Sequence, residues 1–262
     1  MAESSAVTYP RIHVRHENDE QVLWVTLDAP AGNVLDLEMV GSLRNVLAGP
    51  ARLPHVKAIV FSGSGAHFSY GASIEEHLPE KVGVLLPAFH ALFRDLLDVA
   101  RPTLAVVRGR CLGGGLELAS FCNWVFAAPD AQLGVPEVTL GVFPPLAALI
   151  LPQRVGRPLA EDLCLTGRIV AAEEARSIGL VDRVSENPDD DAREWIARHL
   201  LPKSAVALHF TTRAVREPLR TRLLADLDAL ERLYLQDLMQ RADPREGIRA
   251  WIEKRPPRWT ND

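Results

Sequence analysis

From Thr103 to Ala127 the chain reads TLAVVRGRCLGGGLELASFCNWVFA. The opening TLAVV has the apolar, β-branched make-up of a buried strand. Three consecutive glycines, Gly113 to Gly115, follow, and Gly113 to Ala119 opens a helix. Trp124 to Ala127 (WVFA) returns to strand. Upstream the same alternation recurs. Val22 to Leu27 (VLWVTL) is rich in β-formers, and Leu35 to Leu47 carries apolar residues at helical spacing. Ala58 to Ser62 (AIVFS) reads as a strand buried on both faces, and Ala88 to Val99 as an amphipathic helix. Strands alternating with helices predict an α/β fold with parallel pairing.

Beyond Pro158 the pattern is helical, through Leu159–Leu165, Ala171–Ile178, Asp191–His199, Ser204–Val215 and Leu219–Met239. In the last of these Leu223, Leu227, Leu230 and Tyr234 recur at three- and four-residue spacing, which makes one apolar stripe. Glu186 to Asp191 (ENPDDD) reads as a solvated acidic turn. The expected division is an α/β core, residues 1–200, and a helical region, residues 201–262, that packs against another subunit.

Composition narrows the function classes. With 262 residues, 47% of them hydrophobic and 24% charged, the chain has ample material for a core. A formal net charge of −5 provides no overall field for nucleic acid, so a polyanionic ligand would need a local basic patch. Cys111, Cys122 and Cys164 match no zinc spacing and read as buried, reduced thiols of a cytoplasmic protein. The opening MAESSAVTYP has neither a basic nor an apolar leader segment. The longest apolar run, Leu140 to Leu151, is interrupted by Pro144 and Pro145, so no membrane span is expected. The histidines form neither HExxH nor HxxxH; His77 and His90 read as surface or helix-packing residues, and no metal is expected. No GxSxG is present, nor any Ser or Cys beside a His in a nucleophilic pattern.

Three segments carry the chemistry. In His67 to Glu76 (HFSYGASIEE), Gly71 and Ala72 are small residues at the mouth of an expected helix, where free N–H groups face a ligand oxygen. A strand–helix turn capped by Ser73 reads the same way. In Arg108 to Ala119, the glycines fit neither GxGxxG nor GK[ST]. They indicate close backbone approach to a small polarised group. Glu117 follows among Leu116, Leu118 and Ala119, a setting that desolvates a carboxylate and raises its pKa. In Ala131 to Ala148 (AQLGVPEVTLGVFPPLAA), Glu137 again stands in an apolar run. Two such glutamates fit a paired general acid and base, and equally two unrelated structural carboxylates.

Together these segments resemble the crotonase (enoyl-CoA hydratase/isomerase) superfamily over nearly the whole chain. FSYGAS looks like its oxyanion loop, CLGGGLELA like its glycine-rich helix start, and GVPEVTLG like its second acidic motif. The resemblance implies a ClpP/crotonase-like spiral of ββα units with a helical C-terminal trimerisation region. It implies oxyanion-hole N–H donors at Ala72 and Gly114 and hydratase glutamates at Glu117 and Glu137, with Glu117 the water-activating base and Glu137 the carbon acid. It further implies an acyl-CoA thioester as partner, self-association as a trimer or dimer of trimers, and no cofactor beyond the substrate's own coenzyme A. Gly71 and Lys254 are the expected CoA contacts.

Two departures stand out. Ser73 follows Gly71-Ala72 where the family has aspartate, and Pro144-Pro145-Leu146-Ala147-Ala148 replaces a glycine-rich stretch. Both are similar to the branch that hydrates a cyclic dienoyl-CoA, cyclohexa-1,5-diene-1-carbonyl-CoA, in benzoyl-CoA degradation. This makes Ser73, Phe143, Pro144, Pro145 and Leu146 the expected substrate pocket. The rivals are a hydratase for linear short-chain enoyl-CoAs and a non-catalytic protein of this fold binding CoA esters or RNA. The two glutamates and the mild acidity argue against the latter.

Overall fold

The structure, a computed structural model, describes residues 9–262. Residues 1–8 of the stretch read for a leader lie outside it. Strand β1 (Ile12–Glu17) pairs antiparallel with β2 (Val22–Leu27), and the sheet continues in parallel through β3 (Ala58–Gly63) and β4 (Thr103–Val107). After the short β5 (Arg110–Leu112), β6 (Trp124–Ala127) pairs with β4. Strands β5, β7 (Gln132–Gly134) and β8 (Ile169–Ala171) make a second, small sheet, while β9 (Arg183–Val184) closes the large one beside β6.

Side-chain alternation explains why β2, β3 and β4 read as nearly continuous apolar runs. Leu23, Val25 and Leu27 enter one core, whereas Val22 and Trp24 enter another on the opposite face. The first core is covered by α1 (Leu37–Ala48), α2 (Pro79–Val99), α3 (Gly114–Phe121) and α4 (Pro145–Arg154). Following α5 (Arg157–Thr166) and α6 (Ala172–Ser177), α7 (Pro188–His199) covers the second with Ala192 and Ile196. A parallel sheet buried on both faces is apolar throughout.

Several expectations are corrected. Helix α2 starts at Pro79 rather than Ala88, because proline at the first helical position loses no bond and brings φ preset. The acidic ENPDDD is not simply a turn: Asp189 to Asp191 form the first turn of α7, where the helix dipole favours them. Asp189 receives Arg108 at 2.8 Å, and Asp191 receives the Ser185 hydroxyl. The two helices expected on either side of Pro218 are one, α8 (Ala205–Arg232). Proline interrupts the ladder there, yet clamps on both sides hold the helix down. Arg216 donates to the Phe121 carbonyl at 2.7 Å, and Arg220 to Asp98 at 2.8 Å. The stripe expected to face another subunit is spent within the chain: Leu223 and Leu227 are fully buried in the first core, with Leu230 packed against it.

Helix α9 (Ala242–Ile252) follows an irregular turn. His90 is a packing residue as read, sealed between α2 and α8 with Nδ1 2.8 Å from Glu231. The three cysteines are free, Cys111 and Cys122 buried and Cys164 partly so. Among the described residues no helix is long and apolar enough to cross a membrane.

Candidate active site

The glycine run is explained by what lies against it. Gly113, at φ +50°, donates its N–H to the Gly134 carbonyl at 2.9 Å and turns the chain from β5 into α3. A Cβ there would stand 2.8 Å from Glu137 Oε1, so the missing side chain makes room for that carboxyl. A Cβ on Gly114 would meet the Phe89 ring at 3.0 Å and the Ala72 nitrogen at 3.2 Å. One on Gly115 would strike Ser69 Cβ at 2.7 Å.

The His67–Glu76 segment lies against this turn. It is not itself a helix mouth: the chain around Ala72 bridges in parallel to Leu35, and a short 3-10 turn, Glu75–His77, intervenes before α2. The bridge uses the Gly71 carbonyl (2.9 Å from Leu35 N) and the Ser73 N–H (3.2 Å from Leu35 O). Alternation along an extended chain then turns the Ala72 N–H to the other side. Neither that N–H nor the one on Gly114, first in α3, has an acceptor among the described residues. The ideal Cβ of Gly71, at φ +100°, would come within 3.2 Å of Gly114 N, so the two backbones touch. Asn33 and Ser69 pin the loop. The Asn33 amide donates to the carbonyls of Ser64, His67 and Phe68 at 2.8–3.2 Å, and the Ser69 hydroxyl donates to Asn33 O at 2.8 Å.

Both glutamates reach one cavity, part of it open to solvent, with Gly71, Ala72 and Gly114 on its wall. Glu117, 3% exposed in α3, accepts the Ala147 N–H at 2.8 Å. Burial pushes its carboxyl up to about 7 against the pull of the Ala147 and Leu146 amides. Glu137 sits on the 3-10 turn Pro136–Leu140; the residue is half-buried, yet Oε2 is sealed and unpartnered. Burial, then repulsion from Glu117, pushes it up to about 8. Amide donors favour the ionised form of Glu117, and Glu137, lacking such support at Oε2, keeps its proton longer.

Phe143, Pro144 and Pro145 line the cavity, but three residues assigned from sequence do not. Leu146 points away into the first core, fully buried, because α4 begins at Pro145 and its next side chain turns inward. Ser73 serves as a cap, its hydroxyl accepting from Glu76 N at 3.3 Å. Lys254 is exposed past the end of α9, in a shallow surface hollow it shares with Glu75. Sequence reasoning missed His77, Phe89, Tyr234 and Ile248, which also line the cavity. His77 is no surface group: burial lowers its pKa, and its Nδ1 donates to the Ser73 carbonyl at 2.7 Å. Helical periodicity did place Tyr234 on the apolar stripe, but on a face expected to meet another subunit rather than a cavity. Among the described residues no three His, Cys, Asp or Glu side chains are grouped to hold a metal ion.

Residues 17–262 match the family model described as enoyl-CoA hydratase/isomerase. The chain is 42% identical over 245 residues to the cyclohexa-1,5-dienecarbonyl-CoA hydratase of Thauera aromatica, covering 94% of this chain and 95% of that one. It is 35% identical to a probable enoyl-CoA hydratase of Mycobacterium bovis, covering 97% and 100%. The crystal structure of an enoyl-CoA hydratase from Mycobacterium avium subsp. paratuberculosis superposes with a TM-score of 0.84 at 27% identity, covering 97% and 100%.

Proposed function

Since the chain belongs to the enoyl-CoA hydratase/isomerase family and is an acyl-CoA hydro-lyase of the enoyl-CoA hydratase type, we propose that it hydrates cyclohexa-1,5-diene-1-carbonyl-CoA to 6-hydroxycyclohex-1-ene-1-carbonyl-CoA, a step of anaerobic benzoyl-CoA degradation in the cytoplasm. The observation that carries this reading is the wall after Glu137. There Phe143, Pro144 and Pro145 form a stiff apolar face, backed by the Tyr234 ring 5.3 Å from that of Phe143. Prolines fix φ and hold such a wall still, which suits a flat ring better than a flexible chain. The likeness to the Thauera aromatica hydratase supports it.

In this reading the thioester oxygen takes hydrogen bonds from the N–H groups of Ala72 and Gly114. Enolate charge develops on that oxygen, and donors already in place stabilise it without reorganising. Glu117, ionised, takes a proton from water as the water oxygen bonds to the β-carbon. The electron pair displaced runs through the enolate into the second double bond. Protonated Glu137 then delivers its proton to the γ-carbon across the ring. Water is added, no electrons are gained or lost, and no cofactor is required beyond the CoA carried by the substrate. Gly71 borders the thioester, and Lys254 meets the CoA phosphates outside the cavity. The exposed Val206, Phe210 and Val215 on α8 support assembly into a trimer or a dimer of trimers.

The second reading, hydration of linear short-chain enoyl-CoAs, is favoured by the likeness to the Mycobacterium bovis protein. Turnover of the cyclic diene in deuterated water separates the two. Deuterium found by NMR at the γ-carbon supports the first. Efficient turnover of crotonyl-CoA with none of the cyclic diene refutes it.

A further inference from the structure

Tyr234 reaches the cavity from a part of the chain remote from both glutamates. Helix α8 ends at Arg232, and the next turn, Leu233–Asp237, is a π-turn. Such turns insert one residue into a helix and recur at functional sites. Leu233 is left 46% exposed, whereas Tyr234 is 1% exposed. The ring is held by Phe143 and, edge-on at 6.4 Å, by His77. Its hydroxyl oxygen is sealed and has no partner among the described residues. Of the side-chain polar atoms in that condition, just one other belongs to a residue lining this cavity: Glu137 Oε2.

A buried hydroxyl without a partner costs stability, and its presence at a cavity wall points to a group that arrives with the ligand. Burial and the charges of Glu137 and Glu117 push the phenol far up, so it stays protonated and acts as a donor. His77 cannot supply that donor, because its Nδ1–H is held by Ser73 O. The thioester oxygen has two backbone donors elsewhere on the wall. In the hydratase reading the oxygen being added is handled by the carboxyls, and Glu117, Glu137 and Tyr234 line the same cavity.

We propose that the Tyr234 hydroxyl donates a hydrogen bond to the oxygen that joins the β-carbon: the attacking water in hydration, the β-hydroxyl in the product. Tyr234 keeps its proton throughout; the proton of water goes to Glu117, and the one added to carbon comes from Glu137. The bond stabilises the oxygen as it gains hydroxide character, and in dehydration as it leaves. The inference rests on the hydratase reading but not on the ring, since cyclic and linear products both carry a β-hydroxyl.

The test compares wild type with Tyr234→Phe in the intact chain. Calorimetry with 3-hydroxybutyryl-CoA and butyryl-CoA gives the ratio of their Kd values. Wild type binds the hydroxylated ligand more tightly. Tyr234→Phe weakens that ligand about tenfold, the equivalent of one good hydrogen bond, and leaves butyryl-CoA within about twofold. In turnover, kcat falls by about ten- to a hundredfold while KM and the pH profile hold, the signature of an interaction made in the transition state. The variant melts no lower than wild type, since an unpaired hydroxyl has been removed. An unchanged Kd ratio, or wild type without preference for the hydroxylated ligand, overturns the inference. Wild type inactive on every enoyl-CoA overturns the hydratase reading instead, and the binding ratio still judges Tyr234.

Discussion

The two sides of the cavity are made by different means. Around Gly71–Ala72 and Gly113–Gly114 the wall is backbone, and what matters is which N–H groups are left over and which Cβ atoms are missing. Across from it, Phe143, Pro144, Pro145 and Tyr234 present side chains. In the proposed reading the backbone side offers a fixed pair of dipoles that any thioester can use, and the side-chain side offers shape, which selects among acyl groups. The carboxyls stand at the seam, Glu117 supported by amides and Glu137 by nothing at Oε2. Chemistry and selectivity are therefore separable by mutation.

The seam should respond most. Glu137→Gln removes the proposed proton donor, and kcat falls by about 10³-fold or more, toward the upper end of general acid–base contributions. Wild-type kcat/KM rises as pH passes about 7, where Glu117 ionises, and falls past about 8, where Glu137 loses its proton; the variant loses the falling limb. The same substitution tests the cost of burial. A carboxyl raised from 4.5 to about 8 on folding contributes stability that is complete below 4.5 and lost as pH rises through 8. The melting advantage of Glu137→Gln over wild type thus grows between pH 5 and pH 8.5. A pH-independent difference would show that Glu137 is not perturbed.

The backbone side should respond next. Gly114→Ala places a methyl 3.0 Å from Phe89 and 3.2 Å from Ala72 N. It should cost about 10²-fold in kcat, comparable to losing one oxyanion donor, with circular dichroism unchanged. Equal losses for cyclic and linear substrates support the division between the two walls; a change in selectivity would break it. The smallest effect belongs to Lys254→Ala. Being exposed, the ammonium is screened, and KM rises about two- to threefold at low salt and converges with wild type at high salt. No change in KM at low salt removes Lys254 from the CoA site.

The backbone side was also the more legible in sequence, for a physical reason. Strands β2, β4 and β6 match their expected bounds because burial on both faces leaves almost only apolar residues. Gly71, Ala72, Gly114, Glu117 and Glu137 lie in short local patterns, and the structure brings all five to one cavity. The side-chain wall depends on tertiary contact. Pro145 and Leu146 are neighbours in sequence, yet one lines the cavity and the other fills the core. Tyr234 looked like one more position of a stripe facing another subunit, since a π-turn leaves no local mark in composition. Pro218 read as a stop because the arginines that hold α8 across it find their partners far away in sequence.

The two sealed, unpartnered oxygens, Glu137 Oε2 and Tyr234 Oη, have a consequence for the lifetime of the protein. Each unsatisfied group withholds about 1–3 kcal/mol from the empty fold. A ligand that supplies the missing partners returns that energy, and any molecule bound to the native state alone also shifts unfolding by mass action. Empty chains open more often than loaded ones and are exposed more often to proteases. A filled cavity therefore lengthens the life of the folded chain, the bound acyl-CoA acting as a stabiliser as well as a reactant.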